Sequence, residues 1–302
     1  MSKLNWIACL ILTFAVNLTA NAESRCPGNV ASLPYRLFNR HQAIVPVSVN
    51  DRGTYSFLLD TGTQITILDR DLASELGLKM GGRAALISAT VNDTAARARI
   101  DKISAGPWEV SNLKVVVYGV KNLRAAGIEV RGVLGEDFLE QFDVLIDNTH
   151  HRLCLDDSGA LRAAIKGSRV PLLDSDSRDD QTSPKPLIVS ARLSDGQRPV
   201  RLKLDSGANV SFLYRVSDYM ALGLFRGASL TGGGVDGIQH TVTELPPQVI
   251  EIGHTVISRV PFVTWTIRKD ERTSDFDGLL ATGVLRSLFI DHQDHFVVLD
   301  PI

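Results

Sequence analysis

Two acids stand out for what surrounds them. Asp60 ends an apolar run in FLLDTGTQITIL (Phe57 to Leu68), and Asp205 ends a second run in LKLDSGANVSFL (Leu202 to Leu213). Each is followed by a hydroxyl residue and a glycine: Thr61 and Gly62, then Ser206 and Gly207. One Asp-Thr-Gly reads as an acid capping a turn at a strand end. Two in the same setting suggest chemistry. If both acids reach one apolar spot, like charges cannot both ionise there, and the pair holds one proton over a wide pH range. The ionised member can take a proton from an intervening water. The protonated member can hydrogen-bond to a carbonyl and stabilise the developing oxyanion. Such a pair hydrolyses an amide with neither metal nor covalent intermediate. The hydroxyls of Thr61 and Ser206 can bond across to the opposite copy, and Gly62 and Gly207 keep Cβ atoms out of a crowded turn.

The elements that must position these acids are also written twice. AIVPVSVNDRGTYSFLLD (Ala43 to Asp60) alternates, turns at Asn-Asp-Arg-Gly and alternates again, a β-hairpin pattern. LIVSARLSDGQRPVRLKLD (Leu187 to Asp205) repeats it. Each acid motif precedes a short stretch of helical spacing, DRDLASELGL or YRVSDYMALGL, then a Gly-containing loop and alternating strands. The units close alike, through Gly132 to Leu155 and Gly278 to Leu299, each read as a Gly-led apolar turn, a short helix and two strands. The expected fold is mainly β, with two homologous lobes about a pseudo-two-fold axis and few short helices. The expected segments are an N-terminal arm (23–42), a first lobe (43–156), a linker (157–186, containing DSDSRDDQTSPKP) and a second lobe (187–302).

Each half resembles a retropepsin-type aspartic protease domain. The resemblance rests on the two Asp-[Thr/Ser]-Gly motifs with Ile65-Thr66-Ile67-Leu68 or Val210-Ser211-Phe212-Leu213 after them, and on Val133-Leu134-Gly135 with Asp137-Phe138-Leu139. It implies β-barrel lobes, Asp60 and Asp205 as catalytic acids, a single-chain monomer with an intramolecular dyad, and a peptide or protein substrate. It also implies hairpin flaps over the cleft, near Ser88, Ala89 and Thr90 in the first lobe and Gly232, Gly233 and Gly234 in the second. The second lobe departs from the pattern: Ala281 stands where the first has Gly135, and Gly283 opposite Asp137. A duplicated fold that has lost activity and binds peptides is the competing expectation.

The rest of the chain sets bounds. A length of 302 residues, 44% hydrophobic content and a net charge of −2 describe a globular protein with no basic excess for nucleic acid. Lys3, an apolar run from Trp6 to Ala20, and Ala20-Asn21-Ala22 predict a secretory signal over 1–22. The run is shorter than the roughly 20 residues of a membrane span. The expectation is therefore a secreted or periplasmic protein without stable membrane insertion once the signal is removed. Cleavage removes Cys9 and leaves Cys26 and Cys154, which permit one disulfide or remain as two thiols. No metal or other cofactor is expected: there is no His-Glu-x-x-His, and neither remaining cysteine has a paired neighbour. Gly232, Gly234 and Gly237 have dinucleotide-loop spacing, but an alternating stretch follows them where a helix would be needed.

Overall fold

The computed structural model describes residues 25–87, 92–175, 184–194, 196, 198–214, 229–233, 239–265 and 275–302. The expected signal segment, Ser88, Ala89, Thr90 and Gly234, and the helical stretch expected after Tyr214, lie outside the described residues.

The N-terminal arm adds β1 (Leu33–Pro34) and β2 (Arg36–Phe38). The first unit follows with β3 (Gln42–Val49), β4 (Arg52–Leu59), β5 (Ile67–Leu68), α1 (Arg70–Glu75), β6 (Met80–Ile87), β7 (Asn92–Ala105), β8 (Trp108–Val117), α2 (Lys121–Ala125) and β9 (Gly132–Leu134). It closes through α3 (Glu136–Leu139), β10 (Asp143–Asp147) and β11 (Arg152–Asp156). Next come α4 (Ala160–Ala164) and β12 (Arg169–Pro171), so the stretch read as linker carries structure of its own. The second unit has β13 (Ile188–Leu193), β14 (Val200–Asp205), β15 (Ser211–Tyr214), β16 (Ser229–Gly233), β17 (Gln239–Ile252), β18 (Thr255–Trp265) and β19 (Gly278–Ala281). It closes with β20 (Leu285–Asp291) and β21 (Phe296–Pro301).

The protein is mainly β, and its two large sheets have the same strand order apart from β2, which the first adds at its edge. One runs β2-β3-β4-β9-β5-β8-β7-β6, the other β13-β14-β19-β15-β18-β17-β16. In each, an extra pairing curls the sheet toward a barrel, β3 with β7 and β13 with β17. A third sheet, β1-β11-β10-β20-β21-β12, takes strands from both units and joins them through the antiparallel pair β10–β20. Apolar side chains of all three sheets merge in one core, from Val45 and Phe57 through Val144 and Ile146 to Leu202 and Ile290.

Local sequence explains the turns that set this register. Asn50 and Asp51 join β3 to β4 with φ of 50° and 57°, values these residue types tolerate in a two-residue hairpin turn. Gly77, at φ 67°, ends α1, and the Leu78 amide reaches back to Ala73 O at 3.0 Å. The closing hairpins turn alike, with His151 at φ 51° and His295 at φ 52°. They differ just upstream: the first unit has the helix α3, the second only a 3-10 turn over Thr282–Val284 in place of the expected helix. A disulfide joins Cys26 to Cys154 inside a buried cluster with Leu161 and Phe289, tying the arm to the shared sheet.

Candidate active site

Equivalent registers bring Asp60 and Asp205 to equivalent places. β4 lies parallel to β9 with Leu59 beside Leu134, and β14 lies parallel to β19 with Leu204 beside Leu280. Each acid follows at the strand end, where the chain turns toward the other unit.

The two turns interlock. Thr61 Oγ1 donates to Leu204 O at 3.1 Å and accepts from the Ser206 amide at 3.1 Å. Ser206 Oγ donates to Leu59 O at 2.9 Å and accepts from the Thr61 amide at 3.1 Å. Both residues are buried, so each hydroxyl satisfies backbone groups of the opposite strand that water does not reach. A Cβ on Gly62 would lie 2.5 Å from the Asp205 carboxyl carbon, and one on Gly207 would lie 2.5 Å from that of Asp60. Each carboxyl thus packs over the glycine of the opposite turn, and only glycine leaves it room.

Partners distinguish the two acids. Asp60 Oδ1 accepts from the Gly62 amide at 2.8 Å, and Oδ2 from Thr63 Oγ1 at 2.7 Å. Asp205 Oδ1 accepts from the Ala208 amide at 2.8 Å, and Ala208, the counterpart of Thr63, has no hydroxyl to add. Burial and then the Asp60 charge push the Asp205 carboxyl up to about 7, against the opposing effects of Lys203 and the Ala208 amide.

Behind Asp60 the turn is braced by α3. Asp137 accepts from the Thr66 amide at 2.9 Å and from Thr66 Oγ1 at 2.6 Å, and Thr66 Oγ1 accepts from the Gly135 amide at 3.1 Å. A Cβ on Gly135 would meet Thr63 O at 2.8 Å, so this position excludes alanine. In the second unit Ser211 Oγ accepts from the Ala281 amide at 3.1 Å, which repeats the inner bond without an acid. Ala281 fits because its backbone takes another path, φ −64° and ψ 120° against −100° and −175° at Gly135. The space over Gly283 is taken by His41, whose Nδ1 lies 2.7 Å from where a Cβ would be.

Four further residues reach the site with no motif to announce them. Lys203 Nζ donates to Gly62 O at 2.7 Å, and Gln42 Nε2 donates to Gly207 O at 2.6 Å. Under α3, His292 bridges Phe142 O through Nδ1 and Glu136 Oε2 through Nε2, both at 2.8 Å. The carbonyl can only accept, so Nδ1 carries a proton. Burial works to lower the His292 pKa, but the Glu136 carboxyl outweighs it and raises the value. The Glu136 amide holds Thr63 O at 2.8 Å, which links this pair to the ledge beneath Asp60. In sequence Lys203 is one of the alternating polar positions of β14, between Arg201 and Asp205, and nothing in the pattern sets it apart.

Of the flap positions, Gly232 and Gly233 lie in β16, opposite His240 and Gln239 of β17. The corresponding hairpin of the first unit, β6–β7, runs outward to the pair Ile87–Asn92. Cys26 and Cys154 belong to the shared-sheet cluster and not to the site. Among the described residues, no group of three His, Cys, Asp or Glu is placed to hold a metal ion.

Comparison with known proteins agrees with this geometry. Residues 45–138 match the aspartyl protease family. No protein of curated function matches the sequence. Among solved structures, an aspartic proteinase from Irpex lacteus aligns over 90% of this chain and 97% of its own, at 11% identity and a TM-score of 0.51. A retropepsin-like aspartic protease from Rickettsia conorii aligns over 42% of this chain and 90% of its own, at 23% identity and a TM-score of 0.32. The first unit thus matches the aspartyl protease family, and the chain as a whole has a fold similar to that of an aspartic proteinase.

Proposed function

We propose that this protein is an exported, single-chain aspartic endopeptidase that hydrolyses peptide bonds with water activated by Asp60 and Asp205. The observation that carries this reading is the packing of each carboxyl over the opposite turn's glycine, which makes the two acids neighbours. Asp60, with amide and hydroxyl donors, is the ionised base and takes a proton from the water. Asp205, whose pKa is raised to about 7, holds the shared proton and gives it to the substrate carbonyl oxygen as the water oxygen bonds to carbon. Asp60 then gives the proton it took to the amide nitrogen, a diol hydroxyl returns a proton to Asp205, and the C–N bond breaks to give the amine and the carboxylic acid.

Activity should fall above about 7 as Asp205 loses the shared proton. Export fits the signal pattern over 1–22, and the Cys26–Cys154 bond suits an oxidising compartment such as the periplasm. The test is to incubate mature protein with a diverse peptide mixture from acid to neutral pH, beside Asp60→Asn and Asp205→Asn. Cleavage by wild type alone supports the reading; three identical outcomes leave a peptide-binding module in its place.

A further inference from the structure

The glycine carbonyls of the two acid turns are capped across the lobe interface, but by unlike groups. Gly207 O takes the neutral amide of Gln42 at 2.6 Å, and Gly62 O takes the ammonium of Lys203 at 2.7 Å. Both side chains are buried, at 7% and 9% exposure. Gln42 demonstrates that tethering a turn across the interface needs no charge. A buried ammonium is costly unless it is compensated, so the charge at Lys203 calls for a separate cause.

Its surroundings supply one. Lys203 lies two residues before Asp205 on β14, hence on the same strand face. The pairings Leu58–Val133 and Lys203–Leu279 make apolar Leu58 its counterpart in the first unit. The ammonium also rests over the Phe276 ring, 4.9 Å from its centroid. Its charge acts on Asp205 of its own strand and on Glu136 of α3; Asp60 acts on the same two acids, and His292 is paired to Glu136. With one proton between them, Asp60 and Asp205 carry a net charge of −1. The Lys203 ammonium offsets the charge of that pair.

We propose that Lys203 is the positioning residue that supplies the counter-charge for the singly ionised Asp60/Asp205 pair and so sets the pH range in which the pair works. The proposal rests on the peptidase reading for its meaning, but not for its test. The cation favours ionisation at both steps, from two protons to one and from one to none. Removing it therefore moves both steps to higher pH.

The experiment compares wild type with Lys203→Met, Lys203→Gln and Lys203→Arg. One readout is the pH–rate profile of peptide hydrolysis. The other is 13C NMR titration of the Asp60 and Asp205 carboxyls, assigned with Asp60→Asn and Asp205→Asn, which needs no turnover. Both limbs and both titrations should rise by about one pH unit in the Met and Gln variants, as for loss of a nearby opposite charge. They should stay close to wild type in the Arg variant. Lys203→Gln keeps a donor for Gly62 O, so it separates charge from tether. Gln42→Leu removes the other tether and should leave the titrations in place. Wild-type titrations in folded Met and Gln variants would overturn the proposal, as would an equal shift in Gln42→Leu. If wild type cleaves no peptide, the peptidase reading fails while the carboxyl titrations still decide the role of Lys203.

Discussion

Asp60 and Asp205 end strands of matching register, but their supports differ in kind. The first turn has the Thr63 hydroxyl on its acid, the Asp137 carboxyl on Thr66, and α3 beneath, pinned by His292 from the other unit. The second has one backbone donor from Ala208, a bare Ser211–Ala281 bond and a 3-10 turn. A duplicated frame thus holds two chemically unequal acids. The carboxylate with more donors is suited to be the base, and the one with fewer to keep the proton. Lys203 and His41 come from opposite units, one against Gly62 and the other against Gly283. The asymmetry is therefore a property of the interface as much as of either lobe.

The harshest test of the pairing treats the acids as equals. Asp60→Asn and Asp205→Asn should each lower peptide hydrolysis on the order of a thousandfold or more, because either change removes a proton-transfer partner. An Asn variant with near-normal kcat/KM would break the shared-proton reading.

The next test concerns the braces. Gly135→Ala places a methyl 2.8 Å from Thr63 O and should cost about 1–3 kcal/mol in denaturant unfolding. Ala281→Gly, at a position with room for its methyl, should change stability by at most about 1 kcal/mol. Similar values for the two would mean that the turns are braced alike.

A subtler change exchanges the hydroxyls. Thr63→Ala removes a hydroxyl donor that stabilises the Asp60 carboxylate, and the acid limb of the pH–rate profile should move up. Ala208→Thr adds a donor beside Asp205 and should move the alkaline limb down. Each shift should be a few tenths of a pH unit to about one. Limbs that do not move would detach the hydroxyl from the acidity of its neighbour.

A separate effect is on the pH dependence of stability. Burial raises Asp137 to about 7, from 3.8, against its bonds to Thr66. Between those values the unfolded chain has released the proton and the folded one has not, so stability falls as pH rises from about 4 to 7. Thermal melts across that window should show the decline, and Asp137→Asn should flatten it. An unchanged slope would remove Asp137 from the account.

The duplication was legible in residue types and spacing: hairpin alternation, the Asp-hydroxyl-Gly motifs and the closing segments each recur in one order. The second copy has a 3-10 turn where its sequence predicts a helix, because a Gly-led apolar turn does not say whether one helical turn or a shorter one follows. That choice depends on Asp137, which braces α3 through Thr66, and Gly283 offers no such side chain. Residues 157–186 looked like linker by composition, yet β12 gains its strand character by pairing with β21, a partner more than 100 residues away.

By itself, the sequence determined a mainly β protein built from two like units, each presenting an acid at the end of an apolar strand. Periodicity and turn chemistry are local, and local patterns survive in a one-dimensional reading. The tertiary structure decided which acid is better supported, why Gly135 excludes a methyl that Ala281 accommodates, and what Lys203 of the alternating strand β14 faces. Those outcomes depend on packing between residues roughly 70 to 160 positions apart, Gly135 with Thr63, Lys203 with Gly62 and His292 with Glu136. Desolvation and like-charge proximity, which set the acids apart, arise only when the chain brings such residues together.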